Sequence, residues 1–220
     1  MQQNSPELQE WRARFAALAL ECAAGDLDGA HDASHLDRVW RTAQTLLADY
    51  PEADVLVVLA ACYLHDLVNL PKNDPARATA SRRSAELARQ RLPALGFPVE
   101  KLDAVAHAIE AHSFSAAITP RTLEAQIVQD ADRLDGLGLV GLARMFYVGG
   151  KMGTGLAHGS DPLATARPLD DQAYSLDHIV VKLARLPGMM QTAAGRRLGE
   201  QRLAVLTDFR NAFAAEWSGT

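Results

Sequence analysis

Val55-Leu56-Val57-Val58-Leu59-Ala60-Ala61-Cys62-Tyr63-Leu64-His65-Asp66-Leu67 is the stretch from which the fold reads. Up to Cys62 it has no charge and no alternation of apolar with polar residues, so it reads as a helix buried on every side rather than as a half-exposed strand. It ends in an adjacent His and Asp. An imidazole and a carboxylate at the mouth of an apolar segment must be paired, hydrated or metal-bound. Taken alone, the dipeptide is read most plainly as a histidine held by a helix-capping or surface carboxylate. Pro51 and Glu52 suit a first turn and start this helix at 52, so that it spans 52–67.

Outward from it, the periodicities are helical. Leu8, Trp11, Phe15, Leu18 and Leu20 give a helix over 7–24, closed by Gly25 and Gly29. Leu36, Val39, Ala43, Leu46 and Leu47 form a second stripe, and Ser34 with Asp37 could make its capping box. Residues 68–75 are a loop, with Asp74 before Pro75 as a cap and first residue of the next helix. Helical segments follow at 76–92, at 99–112 and from Thr119-Pro120 to Leu134, and a further apolar segment covers 137–148. The stretch 149–171 carries Gly149, Gly150, Gly153, Gly155, Gly159, Pro162 and Pro168 without periodicity, and reads as a long surface loop, functional or mobile. Helices at 172–187 and 196–217 close the chain. No alternating strand pattern appears, so the expected class is all-α, with about nine helices and a single domain over 1–220.

Composition bounds the function. A chain of 220 residues that is 48% hydrophobic can bury a full core. Its apolar runs are too short to cross a bilayer, and Met1-Gln2-Gln3-Asn4-Ser5-Pro6 has no basic region followed by an apolar one, as a secretory signal would. Cys22 and Cys62 lie in apolar helical patterns and read as buried thiols of a cytoplasmic protein. The net charge of −5 argues against a nucleic-acid partner, with Arg77, Arg82, Arg83, Arg89 and Arg91 the one basic cluster. A small phosphorylated ligand remains compatible with it.

The histidines sit mostly near helix ends: His31 and His35, His65, His107 and His112. Ile127-Val128-Gln129-Asp130-Ala131-Asp132-Arg133-Leu134-Asp135 adds carboxylates to a strongly apolar segment. Such carboxylates need a cation or hydrogen bonds. Gathered with imidazoles they suit Mn²⁺, Fe²⁺, Zn²⁺ or Mg²⁺ rather than a thiophilic centre. Two plainer readings stand beside this one: pairing of Asp130, Asp132 and Asp135 with Arg133 and Arg144, or an ordinary solvated helix face. Gly149-Gly150-Lys151-Met152-Gly153-Thr154-Gly155 lacks the spacing and the preceding strand of a phosphate-binding loop.

Taken in order, these motifs resemble the HD-domain phosphohydrolases: His35, then His65-Asp66, then Asp132 in an Ala-Asp-x-Leu context. The likeness is closer to a bacterial subfamily, through His31-Asp32-Ala33-Ser34-His35, Leu64-His65-Asp66, His112-Ser113-Phe114, residues 127–135, and Ser175-Leu176-Asp177-His178 with Lys182 and Leu183. It covers residues 12–217 and implies a helical HD-type bundle binding one divalent metal through His35, His65, Asp66 and Asp132, with Mn²⁺ favoured and Mg²⁺, Co²⁺, Fe²⁺ or Zn²⁺ as alternatives. On one helix Asp130 and Asp132 point about 200° apart, so only one should touch the metal. The family context selects Asp132, leaving Asp130 and Asp135 to orient His65 or Arg133.

The resemblance further implies hydrolysis of nucleotides, with pyrophosphate released from nucleoside triphosphates. Asp66 is then a candidate for orienting the water. Lys72, Arg77, Lys182 and its neighbour His178 are candidates for binding phosphate, each with a surface charge as the alternative. His112 is a candidate proton donor, or support for a second metal; His107 is as readily a cap, and His31 a neighbour of the ligands. The alternative reactions are a nucleotide 5′-monophosphatase, a phosphodiesterase and, less favoured, a di-iron oxygenase. A non-catalytic metal- and nucleotide-binding module, monomeric or homodimeric, is the reading from another class; it would bind metal without turnover.

Overall fold

The computed structural model describes residues 5–22, 33–70, 74 and 76–219. Among them the chain is all-α, with α1 Pro6–Cys22, α2 Ala33–Leu47, α3 Val55–Leu64, α4 Ala80–Arg91, α5 Leu102–His112, α6 Leu123–Asp135, α7 Gly138–Met152, the short α8 His178–Val181 and the long α9 Ala193–Trp217. The described residues hold no strand, only an isolated bridge between Gly155 and Tyr174. No helix among them is long and apolar enough to cross a membrane. The chain divides into two compact units after Asp132, within α6.

In the first unit α3 is the centre. Every residue from Leu56 to Leu64 is buried, as an all-apolar helix requires, and α1, α2 and α5 pack around it. Each fully buried Leu or Val contributes roughly 1.5–3 kcal/mol relative to exposure. Asp54 starts the helix by accepting from Leu56 N (3.1 Å) and Val57 N (3.3 Å), while Glu124 accepts the Asp54 N–H at 2.9 Å. The helix therefore begins three residues later than proline placement suggests, and ends at Leu64, leaving His65 and Asp66 beyond its last turn. Trp11, Phe15 and Phe97 stack into one cluster that holds α1.

On α2 the buried positions His35, Val39, Thr42 and Leu46 recur at helical spacing. His35 is therefore carried inward by the same stripe as the core residues. The expected capping box does not form with Asp37. Its carboxylate instead accepts from Arg12 Nη2 at 2.9 Å and from the Tyr63 hydroxyl, two stronger donors from α1 and α3.

The second unit is built on α7 and α9, which pack together through Phe146, Phe209, Phe213 and Trp217. Two expectations fail here. Gly149 and Gly150 lie inside α7, not in a loop: a Cβ on Gly149 would collide with the Ser175 hydroxyl, so glycine serves close packing there. The irregular segment from Gly153 to Tyr174 is tightly pinned. Arg167 donates to both oxygens of the buried Asp177 at 2.6 and 2.9 Å, and Asp161 accepts from Thr165 N and Ala166 N at 2.9 Å each. The expected helix at 172–187 is broken into a 3-10 turn at Ser175–Asp177, α8, and a 3-10 turn at Leu183–Arg185. The break comes at Lys182, whose φ of −123° leaves the helical region.

Candidate metal centre

Four elements of the first unit converge on one point. His35 comes from the first turn of α2, His65 and Asp66 from just past α3, His112 from the last position of α5, and Asp132 from α6. Helix C-termini leave carbonyls without an intrahelical partner. His65 Nδ1 meets the Cys62 carbonyl at 2.9 Å and His112 Nδ1 meets that of Ile109 at 2.6 Å. Each ring donates its Nδ1–H to the carbonyl three residues back. That satisfies an orphan acceptor and fixes the tautomer, so Nε2 is the bare nitrogen.

Both Nε2 atoms face carboxylates. His65 Nε2 lies 3.3 Å from His35 Nε2, 3.5 Å from Asp66 Oδ2 and 3.8 Å from Asp132 Oδ1. His35 Nε2 lies 3.4 Å from Asp132 Oδ1 and 3.9 Å from Asp66 Oδ2. Two atoms bound to one ion at 2.0–2.2 Å stand roughly 2.8–3.6 Å apart, from octahedral to tetrahedral geometry. The three shorter separations fall in that range, and the longer two lie just beyond it. A convergence of bare acceptors in a site where both histidines are 1% exposed suits a cation. His35, His65 and Asp132 could hold a metal, with Asp66 beside them; His65, Asp66 and His112 form a second, overlapping group. Asp66 joins the two, since its Oδ1 lies 3.7 Å from His112 Nε2.

The electrostatics favour the metal-ready protonation states. Burial, outweighing the nearby Asp66 and Asp132, pushes His65 down to about 4, so its ring is neutral at pH 7. Burial alone would raise the Asp132 carboxyl, but a hydrogen bond from His35 and the neighbouring imidazoles more than offset it and leave it well below the usual carboxylate range. Burial also raises the Cys62 thiol, which stays protonated and offers only its backbone carbonyl.

Other expected site residues lie elsewhere. His31 and Lys72 are outside the described residues. Arg77 is half-buried, its guanidinium donating to the Leu70 carbonyl. His107 accepts the Arg121 backbone N–H at 2.9 Å, the capping role. Asp135, in the second unit, is paired with Arg144, as the plainer reading of the carboxylates allowed. In that unit His178 Nδ1 is 2.9 Å from Asp171 Oδ2, and Lys182 is exposed at the end of α8.

Sequence reading missed a brace beside the site. Arg12 Nε donates to the Tyr63 hydroxyl at 2.7 Å, and both residues bond to Asp37, tying α1, α2 and α3 together two residues from His35 and from His65. Burial and Asp37 raise the phenol to about 12, so it remains a donor. The available signal was a lone phenol near the end of an apolar helix, which burial obliges to find a partner. Gln129 adds a second brace, donating to the Ala111 carbonyl at 2.6 Å next to His112.

Comparison with known proteins agrees with the geometry. The family model of the HD domain matches residues 32–137. YpgQ of Bacillus subtilis is 34% identical over 188 residues, covering 84% of this chain and 83% of YpgQ. A crystal structure of an HD-superfamily hydrolase from Bacillus thuringiensis superposes with a TM-score of 0.75 at 28% identity, over 96% of this chain and 99% of that one. The crystal structure of Bacillus subtilis YpgQ in complex with ADP gives a TM-score of 0.72 at 28% identity, over 94% of this chain and 95% of that one.

Proposed function

This chain belongs to the HD-domain family of metal-dependent phosphohydrolases, and from that premise we propose that it hydrolyses nucleotides, releasing pyrophosphate from nucleoside triphosphates. The observation that carries the reading is the cluster of His35, His65, Asp66 and Asp132, buried, with the His65 ring neutral and fixed in tautomer. The ADP bound to the similar YpgQ supports a nucleotide as the ligand. Those four residues would hold one divalent ion, Mn²⁺ first.

Such an ion acidifies water and polarises a phosphoryl oxygen. The chain's own groups do the rest. Asp66 orients the attacking water, one oxygen facing His35 and His65 and the other facing His112. His112 takes a proton at Nε2 and delivers it to the leaving oxygen. Lys72, Arg77, His178 and Lys182 are assigned to the phosphates, where positive charge meets the developing negative charge. The protein is read as cytoplasmic, in keeping with two unpaired cysteines.

The test reloads metal-free protein separately with Mn²⁺, Mg²⁺, Co²⁺, Zn²⁺ and Fe²⁺ and follows phosphate and pyrophosphate release from nucleoside mono- and triphosphates. Pyrophosphate release that disappears in Asp132→Ala supports the reading. Phosphate release alone points to a monophosphatase, and stoichiometric metal binding without either product points to a non-catalytic module.

A further inference from the structure

The turn that follows His112 presents an aromatic ring to solvent. Phe114 is 64% exposed, although burial of apolar surface is favourable and the other side chains of the turn, Ser113, Ser115, Ala116 and Ala117, are small. The turn is held at both ends. At one end His112 is bonded to the Ile109 carbonyl at 2.6 Å; at the other, the Arg121 N–H is bonded to His107 at 2.9 Å. Within it Ser113 and Ser115 share a hydroxyl hydrogen bond of 3.1 Å. Ala117 stands at φ +52°, in the left-handed region that a side chain disfavours. A non-glycine residue persists there only where its surroundings dictate the backbone, and such positions gather at ligand clamps.

From this juxtaposition we propose that Phe114 is the stacking platform for the base of the nucleotide, making the aromatic base a recognised part of the substrate. Two residues of chain separate Phe114 from His112, a reach of roughly 7 Å between Cα atoms. The ring therefore stands about one sugar away from the Asp66–His112 end of the centre, where the phosphate is assigned. Stacking uses the π face that every base has, so the contact favours nucleotides over base-free phosphates while tolerating different bases. Purines, with the larger face, bind more tightly than pyrimidines. The inference rests on the nucleotide reading of the site.

The experiment measures equilibrium binding to the Mn²⁺-loaded full chain, using an α,β-methylene nucleoside triphosphate and, as base-free probe, ribose 5-triphosphate. Wild type should prefer the nucleotide by roughly 5- to 150-fold. Phe114→Ala should bind the nucleotide about as weakly as wild type binds the base-free probe. Its affinity for that probe and its metal content should not change, and Phe114→Trp should retain the preference. Equal affinity of wild type for the two probes, or a Phe114→Ala protein that keeps the preference, overturns the assignment while leaving the hydrolase reading intact. A wild-type protein that binds metal but neither probe overturns both.

Discussion

Replacing Asp132 with Asn separates the carboxylate's role as a ligand from its role in the fold. Asp132 Oδ1 sits 3.4 Å from His35 Nε2 and 3.8 Å from His65 Nε2. Asn has the same shape, but its NH₂ can donate to one of those nitrogens, so the metal-free variant should melt at or above the wild-type temperature. With metal the order reverses. An ion present at 1,000 times its Kd stabilises the wild type by about 4 kcal/mol, which for a chain of this size is a rise of about 8–16 °C. Loss of a direct anionic ligand should weaken binding by about 100-fold or more, since even an outer-shell partner costs 10- to 100-fold. At the same metal concentration the gain then falls to about 1.4 kcal/mol or less, a rise of no more than about 6 °C. Thermal melts of chelator-treated and Mn²⁺-loaded protein read both changes. Asp130→Asn, about 200° around the same helix, should keep the full rise. A wild-type rise in Asp132→Asn together with its loss in Asp130→Asn would refute the assignment of the late ligand.

Acid should destabilise the metal-free protein through His65: its folded value of about 4 lies below the ordinary 6.5, so stability present above pH 6.5 is lost as pH falls toward 4, on the order of 3 kcal/mol. Urea midpoints between pH 7.5 and 4.5 should therefore fall less steeply in His65→Gln, and an unchanged slope would exclude His65 as the cause. Tyr63→Phe removes the shared phenol of the Arg12–Asp37 brace and should cost about 1–2 kcal/mol, lowering Tm by about 2–8 °C at unchanged metal stoichiometry. Arg167→Ala strips the buried Asp177 of its guanidinium partner and should cost about 3–5 kcal/mol, with new proteolytic cleavage between Gly153 and Tyr174; Arg167→Lys should recover part of the loss.

What could be read ahead of the structure depended on how local the cause was. The buried α3 is legible because no face of it is polar, and His35 because it falls in register with Val39, Thr42 and Leu46. The convergence of His35, His65, Asp66, His112 and Asp132 was legible only through motif order, since periodicity places residues on helix faces and does not say which helix ends meet. The Arg12–Tyr63 bond spans 51 positions and leaves no local trace. Asp37 looked like a capping partner because Ser34 stood at the right spacing, yet a guanidinium and a phenol outcompeted a backbone N–H. Gly149 and Gly150 looked like helix breakers. Their penalty in a helix, about 1 kcal/mol each, is outweighed where Gly149 lets the Ser175 and Thr154 hydroxyls approach.

The donor set also selects the charge of its ion. The tautomer lock on His65 leaves a neutral ligand at pH 7, since burial holds its imidazole far below ordinary histidine values. The formal charge of the proposed ligand set therefore rests on Asp66 and Asp132, and a divalent ion cancels it. A monovalent ion would leave one negative charge uncompensated in a site whose histidines are fully enclosed, a cost of several kcal/mol at low dielectric. The Cys62 thiol, raised by burial and placed one turn from His65, stays protonated and adds no soft anionic donor. Nitrogen and carboxylate oxygen without thiolate favour borderline and hard divalent ions over Cu⁺. Competition titrations should accordingly show Mn²⁺ displaced by Co²⁺ or Zn²⁺ but not by Na⁺ or K⁺ at the same ionic strength. Displacement of Mn²⁺ by a monovalent ion would mean that at least one of the two carboxylates is not part of the charge that holds it.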